Sequence, residues 1–109
     1  MAFIIVYVTH PSKEHANKII DHLLNKKLIA CANSFPIESA YWWKGEIARE
    51  NEIVTILKTT PNNWDAVKKE IESIHDYEVP CIIKLDVQAN KAYEDWIQKE
   101  TQPGQGAQD

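Results

Sequence analysis

The chain has little glycine, cysteine or contiguous apolar sequence, and each shortage excludes a class of protein. Of its three glycines, Gly45, Gly104 and Gly106, two fall in the last six residues, so no glycine-rich loop is available to cradle a phosphate. Cys31 and Cys81 are the only cysteines and lie fifty residues apart, which argues against a disulfide scaffold and for reduced thiols in the cytoplasm. The apolar run Phe3 to Val8 is six residues, eight with Met1 and Ala2, against about 20 needed to cross a bilayer. The N-terminus also lacks the basic start and cleavage site of a secretory signal. Positive charge is scarce and scattered: the net charge is -4, and Lys26-Lys27 and Lys68-Lys69 are the only adjacent basic pairs, which leaves no footprint for a nucleic acid. The expected setting is therefore cytoplasmic, with neither membrane nor nucleic acid as partner.

The 109 residues suffice for one domain and one core. Residues 1–100 are read as that domain, and 101–109, rich in Gln and Gly, as a disordered tail. Phe3 to Val8 is β-branched and aromatic throughout, as in a strand covered on both faces. Ser12 then caps a helix expected to run to Leu28, with Ala16, Ile19, Ile20, Leu23, Leu24 and Leu28 on its apolar stripe. A second strand from Ile29 is interrupted at Pro36 and resumes through Ala40-Tyr41-Trp42-Trp43 to a turn at Lys44-Gly45, where glycine supplies positive φ. Its partner runs from Glu46 to Thr59. A helix from Pro61-Asn62-Asn63 to about His75 carries Trp64, Val67, Ile71 and Ile74 at helical spacing. A last strand alternates Cys81, Ile83, Leu85 and Val87 with Ile82, Lys84 and Asp86, and Asn90 opens a short final helix.

That order is the α+β, ferredoxin-like βαββαβ pattern: an antiparallel sheet with two helices on one face plus a short C-terminal helix. Its two middle strands, about fourteen to sixteen residues each, are roughly twice the outer ones, so their hairpin end must project past the helices. An aromatic ribbon bearing Tyr41, Trp42 and Trp43 invites aggregation unless another copy of the chain covers it. These three are the candidate interface residues, and a closed cyclic homo-oligomer is the expected remedy.

Leu28-Ile29-Ala30-Cys31-Ala32-Asn33, Tyr41-Trp42-Trp43-Lys44-Gly45-Glu46-Ile47, Leu57-Lys58-Thr59 and His75-Asp76-Tyr77-Glu78-Val79-Pro80 follow one another in the order and spacing of the CutA divalent-ion tolerance family. The chain resembles that family from about Phe3 to Trp96. The resemblance implies a homotrimer built by sheet pairing, PII-like in architecture, with no catalytic activity and no obligatory cofactor. It also implies an association with divalent cations, copper above all. The copper-ligand positions of some bacterial relatives fall here on Val8, Ile74 and His75, so only His75 keeps a ligand at them.

Four chemistries compete for the remaining residues. For metal, His75 is the first candidate and the Cys31 thiol, a soft place for Cu(I), the second. His15 and His22, about 10 Å apart along their helix, are read as solvated rather than as ligands. A small ligand could sit in a cleft made by Lys58, His75, Tyr77 and Glu78 with Trp43 and Lys44 of a neighbour; the same residues could equally serve as interface ion pairs and hydrogen bonds. Catalysis would need more than His75 beside Asp76 or Glu78, because no nucleophile or phosphate-gripping arginine accompanies them. RNA recognition on this strand order needs aromatics where Ile53-Val54-Thr55-Ile56-Leu57 stands. Two functional readings remain open: a trimer tied to divalent-metal tolerance, or a PII-like regulator holding an anionic metabolite between subunits.

Overall fold

A computed structural model describes residues 3–102. Its elements are β1 (Phe3–His10), α1 (Lys13–Asn25), β2 (Cys31–Trp43), β3 (Glu46–Thr59), a 3-10 turn (Pro61–Asn63), α2 (Trp64–Ile74), β4 (Ile82–Val87) and α3 (Lys91–Glu100). The sheet is antiparallel in the order β2-β3-β1-β4, with β1 central as its unbroken apolar run implies. Alternation along β1 sends Ile4, Val6 and Val8 to the face carrying α1 and α2. There they pack with Ile19, Leu23, Val67 and Ile71, all fully buried, in one core. Among the described residues the opposite face carries no long helix. At its end α3 touches it, where Tyr93 meets Phe3 edge to face.

Three local differences from the sequence reading have simple causes. Helix α1 stops at Asn25 instead of Leu28, because Lys27 turns left-handed at φ 59° and lets Leu28 N–H donate to Leu23 C=O and its own N–H to Leu24 C=O. This is a Schellman closure with lysine where glycine is usual. Strand β2 passes through Pro36 without a break, since β2 is an edge strand and an edge tolerates a residue without an N–H. Thr101, assigned to the tail, is buried and donates its hydroxyl to Ile97 C=O at 2.8 Å, which locks the end of α3. The rest of the expected tail, residues 103–109, lies outside the described residues.

The ribbon projects as expected. β1 pairs with β3 only over Ile53–Thr59, so residues 46–52 have β2 as their sole partner strand. Lys44 and Gly45 both hold positive φ, 52° and 84°, as a two-residue hairpin turn demands. The long axis reaches 47 Å against 29 and 21 Å for the others. Tyr41 and Trp43 point to the helix-free side and Trp42 to the other, where it is 73 % exposed. The alternation in β4 has the same consequence: Ile83 and Leu85, about half exposed, share the helix-free face with Phe35.

Candidate functional site

His10 closes β1 with the same parity as Ile4, Val6 and Val8, so its ring enters the helix-covered side and is fully buried. His15 sits in the first turn of α1, where Ser12 Oγ accepts its backbone N–H at 3.1 Å. It shares the inward face with Ile19 and Leu23, at i+4 and i+8, and only 8 % of it remains exposed. His75 ends α2 and leans over the same spot. Three imidazoles from three elements thus meet at one end of the core, with ring centroids 5.1 Å (His10–His15), 5.5 Å (His10–His75) and 4.5 Å (His15–His75) apart.

Their hydrogen bonds assign the protons by elimination. Thr9 C=O can only accept, so His75 carries its proton on Nε2, 2.8 Å away, and its bare Nδ1 accepts from Tyr77 N–H at 3.1 Å. Asp76 N–H can only donate, so His15 Nε2 accepts at 3.3 Å and the proton of His15 sits on Nδ1. That proton is donated to His10 Nδ1 across 3.0 Å, which leaves His10 Nε2–H to meet Thr55 Oγ1 at 2.8 Å. All three rings are satisfied as neutral imidazoles. Burial, then His15 and His75, lowers the His10 pKa to about 3. Burial and His75 also lower that of His15, against an opposing pull from Asp76.

On the other face of the sheet a groove of about 740 Å³ runs along the ribbon, lined among others by Tyr7, Tyr41, Trp43, Glu50, Glu52, Tyr77, Glu78 and Cys81. Tyr77 donates its hydroxyl to Glu52 Oε2 at 2.5 Å, and Tyr41 donates to Glu50. Glu52 is 7 % exposed. Burial and this bond push the Tyr77 phenol well above its ordinary range, the Glu50 bond pushes Tyr41 up to about 12, and burial raises the Cys81 thiol.

Of the cleft residues expected from sequence, Trp43, Tyr77 and Glu78 line this groove. Lys44 rides on the turn with its ammonium 5.6 Å from the Trp43 ring centroid. Lys58 lies under α3, its Nζ 3.3 Å from Tyr93 Oη. Cys31 stands opposite Lys58 in β3 and Thr9 opposite Val54, so four residues, about 13 Å of strand, separate Cys31 from the carbonyl that holds His75. One ion cannot bridge His75 and Cys31. His10 and His15 were not among the expected ligands. The parity of β1 and the spacing from His15 to Ile19 and Leu23 were the available signals. His15, read as solvated, is buried instead because the inward stripe of α1 includes it, whereas His22 lies apart, paired with Glu70 at 2.6 Å.

This four-stranded, two-layer fold with an overhanging ribbon and, among the described residues, no helix long and apolar enough to cross a membrane defines a small α+β class. Residues 4–100 match the family model described as CutA1 divalent ion tolerance protein. The chain belongs to that family. It is 43 % identical over 99 residues to the divalent-cation tolerance protein CutA of Pyrococcus horikoshii, covering 90 % of this chain and 97 % of that one. The solved structure of the periplasmic divalent cation tolerance protein CutA from Archaeoglobus fulgidus superposes with a TM-score of 0.90 at 38 % identity, covering 92 % of this chain and 99 % of that one. A rice relative, the chloroplastic protein CutA 1, is 37 % identical over 100 residues, which are 90 % of this chain and 56 % of the rice protein.

Proposed function

We propose that this protein is a non-enzymatic homotrimer that serves divalent-cation tolerance by binding the cation itself, copper included, in the cytoplasm. The observation that carries the assembly is the helix-free sheet face. Phe35, Tyr41, Trp43, Ile83 and Leu85 all stand exposed on it, an apolar surface too continuous for a monomer of this size to leave in water. Copies of the chain laid on that face would cover it and share the groove between neighbours, where Trp43, Tyr77 and Glu78 form one wall. Glu38, Glu50, Glu52 and Glu78 line that groove, so its field favours a cation and gives no support to an anionic metabolite as occupant. The absence of enzymatic action is part of the proposal: Tyr77 and Tyr41, two of the hydroxyls that line the groove, are held protonated against carboxylates and make poor nucleophiles. Two thiols with no disulfide between them suit a reducing compartment.

Light scattering tests the assembly and calorimetric titration with CuCl2 tests the binding. Three times the chain mass and a saturable copper isotherm are expected, and Trp43→Asp is expected to yield smaller species. A monomeric wild-type protein at micromolar concentration, or intact trimers in Trp43→Asp, would overturn the placement of the interface.

A further inference from the structure

We propose that His10, His15 and His75 together form a three-imidazole site for one borderline divalent transition-metal ion, Cu2+ or Zn2+, inside each subunit. The inference rests on the cation-binding reading above and adds to it a ligand set, a location and an ion class. Each histidine offers one ring nitrogen, and the three atoms lie within 4.8 Å of one another. A point therefore exists within about 2.8 Å of all three, and a shift of under about 1 Å per ring brings each nitrogen to the usual 2.0–2.1 Å from a metal.

The surroundings are those of a held ligand set. Thr55 Oγ1 fixes the Nε2 side of His10, Thr9 C=O fixes Nε2 of His75 and leaves its Nδ1 to exchange the Tyr77 N–H for an ion, and Asp76 Oδ2 lies 3.8 Å from Nε2 of His15. His10 Nδ1 and His15 Nδ1 already converge at 3.0 Å on a single shared proton. When an ion takes that place, the proton of His15 leaves Nδ1 and another is taken up at Nε2, which gives up the Asp76 N–H it accepts at 3.3 Å and turns to donate toward the Asp76 carboxylate 3.8 Å away, so no net proton is released. Histidine held by a carboxylate on its far nitrogen is a common outer support of metal-bound imidazole, and it raises ligand basicity. Asp76 is exposed, so an ion has a charged, hydrated approach from that side.

The donor set selects the ion. Three neutral nitrogens suit copper, zinc and nickel, while calcium and magnesium require oxygen ligands. Neither thiol belongs to the cluster. Three ligands leave a fourth position for water or an exogenous group.

The test is calorimetric titration of the full chain with CuCl2 and with ZnCl2, on wild type, His15→Gln, His75→Gln, Asp76→Asn and the control His22→Gln. One ion per chain is expected, weakened about 100-fold or more by His15→Gln and His75→Gln, about 10-fold or more by Asp76→Asn, and unchanged in His22→Gln. Retained wild-type affinity in His15→Gln overturns the three-histidine site and leaves the protein's cation binding standing. No binding of either ion by wild type overturns both. His10 is fully buried and its variants can fail to fold, so nitrogen-15 NMR of the wild-type imidazoles with Zn2+ supplies the third ligand: a shift of one ring nitrogen in each of His10, His15 and His75 is expected, and an unmoved His10 overturns the proposal.

Discussion

Tyr77→Phe removes one oxygen from the wall of the groove and leaves Glu52, a nearly buried carboxylate, without the hydroxyl that donates to it at 2.5 Å. A hydrogen bond to a charged partner contributes about 1.5–3 kcal/mol. The partly exposed phenol places this one near the lower end, about 1.5 kcal/mol, because water can partly replace it. For a domain of this size that corresponds to a fall in Tm of about 6–12 °C. Thermal and urea unfolding at fixed protein concentration measure it, the concentration being fixed because assembly shifts apparent stability. A double-mutant cycle isolates the pair. Glu52→Gln and Tyr77→Phe should each destabilise, while the double variant should lose less than the two losses combined, by about 1 kcal/mol or more. Additivity within about 0.5 kcal/mol would refute the bond as a stabilising contact.

Acid stability follows from His10 and His15, which face each other, His75, Asp76 and, from α1, Lys18. Both are lowered in the fold relative to about 6.5 in the unfolded chain, so their contribution is complete above pH 6.5 and is lost as pH falls below it, for His10 progressively toward about 3. With a chelator present, the urea midpoint of wild type should decline between pH 6.5 and 5, and His15→Gln should flatten that decline; equal slopes would count against it. Lys27→Gly replaces a lysine at φ 59° by the residue that position prefers, and a gain of about 0.5–1 kcal/mol in unfolding free energy is expected, with Lys27→Ala as a control that lacks it.

Much of this fold is visible in residue order, because periodicity and caps are local. The unbroken Phe3–Val8 run, the Ser12 cap and the stripe from Ala16 to Leu23 each specify their element without reference to the rest. Whether Pro36 breaks a strand depends on whether that strand is an edge, a property of the whole sheet. The alternation of Ile83 and Leu85 identifies an apolar face but not which side the helices take. The histidine cluster illustrates the same boundary. His75 stands out because it belongs to a motif, whereas His10 and His15 matter only through their meeting, across a β-α turn, with the end of a helix sixty residues on. Reading His10 by the parity of β1 and His15 by the stripe of α1 would have turned both inward.

Pro36 has a further effect on the ribbon. A proline on an edge strand offers no donor to a chain arriving alongside, so any added strand that follows β2 must end its pairing there. The usable border is then residues 37–43, about 23 Å of backbone. A docking strand of that length can be gripped firmly, yet the ladder cannot extend across the whole edge, and the chain thereby carries its own stop against open-ended stacking.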